Sequence, residues 1–193
     1  MKTDPRTFIL ENTDLMCPPH VPEIRLHLAS EAHDLWLKTE EDLEAIGLPP
    51  PFWAFAWAGG QGLARYILDN PDVVAGKRVL DFASGSGLVA IAAKLAGAAE
   101  VVAADIDPWT ASAVALNAAD NGVEIGFLGD NLVGLTIDAD VVLAGDVFYD
   151  REFASALIPW LADLADAGIL VLVGDPGRSY CPRGELEQIA VYQ

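Results

Sequence analysis

From Lys77 onward the chain alternates between short apolar runs and longer stretches whose apolar positions recur every three or four residues. The runs KRVLDF (77–82), AEVVAADI (99–106), VEIGFL (123–128), ADVVLAGD (139–146) and GILVLVG (168–174) predict strands. Those near 79, 101, 141 and 170 are continuous rather than alternating, as expected when a strand is covered on both faces. Helices are expected at 87–97, closed by Gly97, and from Asp107-Pro108 to Asn121-Gly122, where an N-cap residue precedes a proline. Another is expected over about 151–167, a further one at RGELEQIA (183–190), and VYQ (191–193) predicts the opening of a sixth strand. This order implies an α/β fold with a doubly wound, mostly parallel, Rossmann-like sheet and right-handed crossovers. Ligands of such sheets lie beyond the carboxyl ends of the strands. Asp81, Asp105, residues 128–131 and Asp146 occupy those ends.

Residues 1–58 follow a different pattern and are read as an N-terminal extension to a core of residues 59–193. Pro18, Pro19 and Pro22 precede a short alternating stretch, Glu23 to Leu28, that suits a strand. HDLWLKTEEDLEAIG (33–47) predicts a helix with its acids outward. LPPPFWAFAW (48–57) is proline-stiffened and aromatic, and GGQGLARYILDNP (59–71) predicts a helix ended by Asn70-Pro71.

Composition narrows the partners. A chain of 193 residues with 52% apolar positions can build one compact core. Its formal charge of −18 repels phosphate backbones and anionic lipid, which argues against nucleic acid and membrane surfaces and suits a basic protein surface. Acidity that serves only solubility is the competing explanation. Cys17 and Cys181 lack metal-like spacing and are expected as reduced thiols. His20, His27 and His33 are spread too far for one helical metal face, so no metal is expected. No apolar run approaches the ~20 residues of a membrane span. The polar start, MKTDP, lacks a signal-peptide core, and a cytoplasmic location is expected.

RVLDFASGSGLVAIAA (78–93) carries the chemistry. The small residues Ala83, Ser84, Gly85 and Gly87 let a ligand lie against backbone N–H groups at a helix start. Gly85-Ser86-Gly87-Leu88-Val89-Ala90 also fits the G-x-G-x-x-G/A dinucleotide fingerprint. Asp81, fixed just before the turn, opposes a pyrophosphate, and no Lys or Arg lies between Phe82 and Ala93 to offset it. An ammonium would be attracted instead. S-adenosylmethionine has an ammonium, a sulfonium, a ribose diol and an adenine, and no phosphate. Asp105 can accept two hydrogen bonds from a ribose diol in either kind of ligand. Asp130 or Asn131 can bond an adenine amino group or serve as turn residues.

VLDFASGSGLVAIAA followed by VVAADIDPWTASAVALNAADNG resembles the class I methyltransferase family, whose seven-stranded fold binds S-adenosylmethionine. Ala83 stands where that family's loop has its first glycine. In VVLAGDVFYD (141–150), Asp146-x-x-Tyr149 resembles the [DE]-x-x-[YF] signature of the lysine-directed branch. With PFWAFAWAGGQGLARYILDNP (51–71) and VGDPGR (173–178), the chain resembles the electron-transfer-flavoprotein β-subunit lysine methyltransferases and their bacterial relatives. The resemblance implies N-methylation of protein lysines, with S-adenosylmethionine as cofactor, S-adenosylhomocysteine as product and the electron transfer flavoprotein β-subunit as favoured target. It also places Ile106, Ala144, Trp57 and Gly60 on the cofactor, and Trp53, Phe148 and Asp175 at the substrate mouth. Core packing is the competing expectation for both tryptophans, and a plain turn for Asp175.

Methyl transfer is an in-line displacement that depends on positioning more than on acid–base catalysis. The lysine amine attacks only when neutral, and its unperturbed pKa is about 10.4. Asp146 is expected to attract and orient the incoming ammonium, which then loses its proton to water. Tyr149 and Phe148 would wall the channel, and the Tyr149 hydroxyl is a candidate acceptor. The chain ends at Gln193, where this fold usually begins its final antiparallel hairpin; two alternatives stay open, a sequence that is a fragment of a longer one, or a fold without that hairpin, which would leave one sheet edge open. Three other functions compete: a small-molecule amine N-methyltransferase, an NAD-type oxidoreductase, and a non-catalytic cofactor-binding module.

Overall fold

The computed structural model describes residues 4–30 and 50–193. Helix α1 (Pro5–Asn12) is capped by Asp4, whose carboxylate accepts from the Thr7 N–H at 2.9 Å. Strands β1 (Asp14–Met16) and β2 (Leu26–Leu28) form an antiparallel pair. Helix α2 (Ala58–Asp69) leads into β3 (Arg78–Phe82), α3 (Leu88–Leu95), β4 (Glu100–Ala104), α4 (Thr110–Asp120) and β5 (Gly126–Leu128). Then come β6 (Val141–Gly145), α5 (Arg151–Asp166) and β7 (Leu170–Gly174). Among the described residues no helix is long and apolar enough to cross a membrane.

Five of these strands make a parallel sheet in the order β5-β4-β3-β6-β7. The chain runs outward from β3 through β4 to β5, then crosses back to β6 on the other side. The switch point therefore lies at the carboxyl end of β3, where such sheets open a crevice.

Both faces of the sheet are covered, which explains the continuous apolar runs. Val79, Val101, Val141 and Leu143 pack with Leu63, Ile67, Val89 and Ile91 on one face. Leu80, Phe82, Val142 and Ala144 pack with Leu157, Trp160 and Leu161 of α5 on the other. Val21, Ile24, Leu26 and Leu28 join the first cluster, so the described part of residues 1–58 shares its core with the sheet.

Several elements differ from expectation. Residues 183–190 form no helix and 191–193 no strand. Leu186 and Ile189 stay exposed, so no buried apolar face offsets the entropy of ordering so short a helix. Helix α4 begins at Thr110 rather than Pro108, because the Asp107 carboxylate accepts from the Trp109 N–H at 2.9 Å and closes a turn there. Strand β1 was not legible, since its Asp14-Leu15-Met16 is exposed throughout. Strand β7 lies at the sheet edge, with Leu170 exposed and the rest half-buried. The helix expected at 33–47, with His33, lies outside the described residues. Both cysteines are free.

Candidate functional site

The glycine loop is built by backbone geometry. Ala83, Gly85 and Gly87 have φ of 54°, 51° and 78°, all left-handed. A Cβ on Gly87 would also stand 3.1 Å from Val114 Cγ2, so both conformation and space require glycine there. Gly87 caps α3 without a side-chain acceptor, and Asp81 supplies one from the strand: its Oδ2 accepts from the Ala90 N–H at 2.9 Å. A carboxylate at a helix N-terminus is favourably placed against the helix dipole. The loop is braced from below by Asn117, fully buried on α4, which donates to the Ser86 carbonyl at 2.8 Å. The same Asn117 accepts from the His27 N–H at 2.7 Å and so ties β2 to the loop.

Acids gather at the strand ends. Asp81 is buried, and burial pushes its pKa up to about 8, with the nearby Asp105 charge adding to the rise. Burial also raises Asp105, against hydrogen bonds from the Asp107 N–H and the Gly85 N–H, each at 3.0 Å. Burial raises Asp107 as well. Tyr149 is raised by burial first and by Asp105 and Asp150 next, which keeps its hydroxyl protonated at neutral pH.

Asp146 sits at the end of β6 with φ 60°, a strained conformation for a residue with a side chain. Its backbone N–H donates to Gly174 O at 2.8 Å. Its Oδ2 accepts from the Gly59 N–H in the first turn of α2. Its Oδ1 receives Arg178, with Nη2 at 2.7 Å and Nε at 2.9 Å. Glycine makes this approach feasible. A Cβ on Gly59 would fall 2.3 Å from Gly174 O, and one on Gly145 would fall 2.8 Å from Gly60 Cα.

These elements enclose a cleft of about 820 Å³. Asp81, Ala83, Ser84, Gly85, Asp105 and Ile106 line one part of it, with Asp130 and Asn131 beyond. Trp57, Gly60, Asp146 and Tyr149 line the opposite part. The Ser84 Oγ is buried without a partner and can bond a ligand. A ring system of Trp57, Phe52, Tyr149 and Phe153 stands at successive centroid distances of 5.9, 5.7 and 5.9 Å. Phe52 and Tyr149 are about half exposed.

Five residues expected at the site do not line this cleft. Ala144 points into the core under α5, because strand alternation brings its neighbour Gly145 to the cleft. Gly87 holds the loop without lining the cleft. Trp53 is fully buried, stacked on Trp109 at 6.4 Å in a cluster with Ile9 and Leu116, so core packing is its role. Phe148 is buried beside α5 and reaches only a second cavity, of about 360 Å³, that it shares with Tyr149 and residues 176–180. Asp175 borders neither cavity; its Oδ1 accepts from the N–H groups of Gly177 and Arg178, at 2.7 and 2.8 Å, and shapes the turn that presents Arg178. Sequence reasoning passed over Arg178 itself, although VGDPGR ends on it. Its approach to Asp146 depends on the β6–β7 pairing and leaves no local signature.

The family model for ribosomal protein L11 methyltransferase (PrmA) matches residues 64–147. The electron transfer flavoprotein beta subunit lysine methyltransferase of Xenopus laevis is 43% identical over 180 residues, covering 92% of this chain and 72% of that protein. Its Homo sapiens counterpart is 41% identical over 184 residues, covering 90% and 66%. Among solved structures, a ribosomal protein L11 methylase from Lactobacillus delbrueckii subsp. bulgaricus aligns with a TM-score of 0.47 and 28% identity, over 60% of this chain and 56% of that one.

Proposed function

The chain belongs to the family of electron transfer flavoprotein beta subunit lysine methyltransferases, and on that premise we propose that it methylates lysine amines of a protein, with S-adenosylmethionine as methyl donor and the electron transfer flavoprotein β-subunit as target. One observation carries the reading. Six aspartates, Asp81, Asp105, Asp107, Asp130, Asp146 and Asp150, line a single cleft. Arg178 is the one cationic side chain on its described lining, and Asp146 already engages it. Such a lining favours a cationic, phosphate-free ligand over a dinucleotide.

The lining offers a partner for each polar part of the cofactor. Asp81 would hold the ammonium, Asp105 the ribose diol, and Ser84 Oγ or the loop N–H groups the remaining polar atoms of the amino-acid end. Asp130 or Asn131 would meet the adenine. S-adenosylmethionine, when bound, supplies an electrophilic methyl group on a positively charged sulfur. Tyr149, Phe52 and Phe153 would wall the place where the amine approaches, and the Tyr149 hydroxyl can orient it. Protein substrates with a basic docking surface suit the charge of −18.

Two measurements test this. S-adenosylhomocysteine should raise the melting temperature and NAD should not, because a ligand that binds only the folded state stabilises it. Isotopically labelled S-adenosylmethionine with the flavoprotein β-subunit should give methyl-lysine by mass spectrometry. Label on small amines alone would overturn the proposed substrate class.

A further inference from the structure

The side chain expected to receive the substrate amine is not free. A carboxylate offers about four lone-pair sites. On Asp146, Arg178 takes two of these through Nη2 and Nε, both on Oδ1, and the Gly59 N–H takes one on Oδ2. Arg178 is supplied by the turn after β7 and touches both cavities: the larger, acid-lined cleft and the smaller one walled by Phe148, Tyr149 and residues 176–180. It therefore stands at the junction where an amine coming through the smaller cavity would meet the cofactor cleft.

Charge decides what that position does. A lone, buried carboxylate would hold a lysine in its ammonium form, which has no lone pair for attack; an opposite charge within ~4–6 Å typically shifts a pKa by 1–3 units. The surroundings make this worse. Asp105 and Asp107 face the cleft from the end of β4, Asp81 from β3, Asp130 from beyond β5, and Asp150 with the Tyr149 hydroxyl from the start of α5. Asp175 and Cys181 flank Arg178 on its own turn. The described part of α2 that lines the cleft, at Gly60, adds no ionisable group.

We propose that Arg178 is a positioning residue that compensates the Asp146 charge, so that the site accepts the lysine as its neutral amine while the last Oδ2 lone pair stays free to accept one amine N–H. The inference rests on the methyltransferase reading above. The step it serves is balanced: the lysine ammonium leaves one proton with solvent on binding, the lone pair of the resulting amine forms the N–CH3 bond, and the S–CH3 electron pair stays on sulfur as the thioether. The product leaves as a methylammonium, and a further proton is lost only if a second methyl is to be added.

The test uses the full chain with the flavoprotein β-subunit. The kcat at saturating β-subunit, which reports ionisations in the bound complex, is followed from pH 6.5 to 10 for the wild type, Arg178→Met and Arg178→Lys, with S-adenosylhomocysteine binding and melting temperature as folding controls. Arg178→Met should move the acid limb up by at least one unit, so that activity at pH 7.5 falls about tenfold or more and recovers near pH 10. Arg178→Lys should restore the wild-type profile in large part. Independently, calorimetry of the β-subunit binding to the S-adenosylhomocysteine complex, in two buffers of different ionisation enthalpy, should show about one proton released by the wild type and less by Arg178→Met. An unmoved acid limb with unchanged proton release overturns the inference. So does higher activity of Arg178→Met at neutral pH, which would make Arg178 a plug. If the wild type binds S-adenosylhomocysteine yet methylates no lysine, the functional reading fails first and takes the inference with it.

Discussion

Cofactor affinity should depend steeply on pH through one residue, Asp81. It is 1% exposed and has a pKa pushed from 3.8 up to about 8 by burial, despite its hydrogen bond from the Ala90 N–H. In the empty protein at pH 7 the carboxyl is therefore mostly protonated, and pairing with an ammonium first requires its ionisation. That costs about 1.4 kcal/mol at pH 7 and about 2.7 kcal/mol at pH 6, since each unit below the pKa is worth 1.36 kcal/mol. The dissociation constant of S-adenosylhomocysteine should accordingly weaken by about fifty-fold between pH 8 and pH 6. The stability of the empty protein runs the opposite way. A folded-state pKa above the unfolded one contributes stability in full below pH 3.8, and that contribution is lost as pH rises through about 8. The melting temperature of the empty protein should thus fall over a range in which the ligand-induced rise grows. Isothermal titration of S-adenosylhomocysteine at half-unit steps, alongside 5′-methylthioadenosine, which lacks the ammonium, measures the first effect. Asp81→Asn should abolish the slope. Equal pH dependence for the two ligands would refute the pairing of Asp81 with the ammonium, and a flat profile for both would refute its protonation in the empty site.

Other consequences are more local. Asp105→Ala should weaken S-adenosylhomocysteine binding by roughly 1–3 kcal/mol, read by titration, because a charged acceptor for the ribose is lost and the Gly85 and Asp107 N–H groups lose their partner. Gly59→Ala places a Cβ 2.3 Å from Gly174 O and 2.8 Å from Asp146 Oδ2, and rigid backbone offers no relief, so denaturant unfolding should show a loss of about 2–3 kcal/mol or more. Ala83→Gly removes the left-handed penalty of an L-residue at φ 54° and should stabilise by about 0.5–1 kcal/mol in the same assay, with cofactor affinity retained.

What was legible in the sequence followed from one-dimensional patterns. The parallel strands could be read because burial on both faces makes their apolar runs continuous, and the glycine loop because its backbone must turn and be approached closely. Asp81, Asp105 and Asp146, read as strand-end residues, line one cleft because strand ends converge wherever a doubly wound sheet reverses direction. The errors have a common cause. Ala144 and Gly145 differ only in which face of β6 each presents, and a run such as VVLAG carries no alternation to decide it. Trp53 and Trp57 are four residues apart in one aromatic block, yet Trp53 stacks on Trp109, far along the chain, while Trp57 lines the cleft and donates to Phe52 O at 3.0 Å. Long-range pairing also hid Arg178.

The site is costly to the empty protein. Two residues with side chains, Ala83 and Asp146, hold left-handed backbone, each at a cost on the order of 1 kcal/mol or more. Asp81 and Asp105 are desolvated beside one another, and each resists ionisation. Packing compensates at a distance: Asn117 fixes the Ser86 carbonyl, and β6, β7 and α2 lock together glycine against glycine around Asp146. A cation placed among those carboxylates relieves the electrostatic part of the cost and leaves the backbone part unchanged. On the proposed reading the cleft would discriminate by charge: a ligand of the same shape that lacks the positive charge must accept the strained loop and the desolvated acids with no compensating attraction. The charge itself, more than the glycine fingerprint, separates this pocket from a dinucleotide site built on a similar loop.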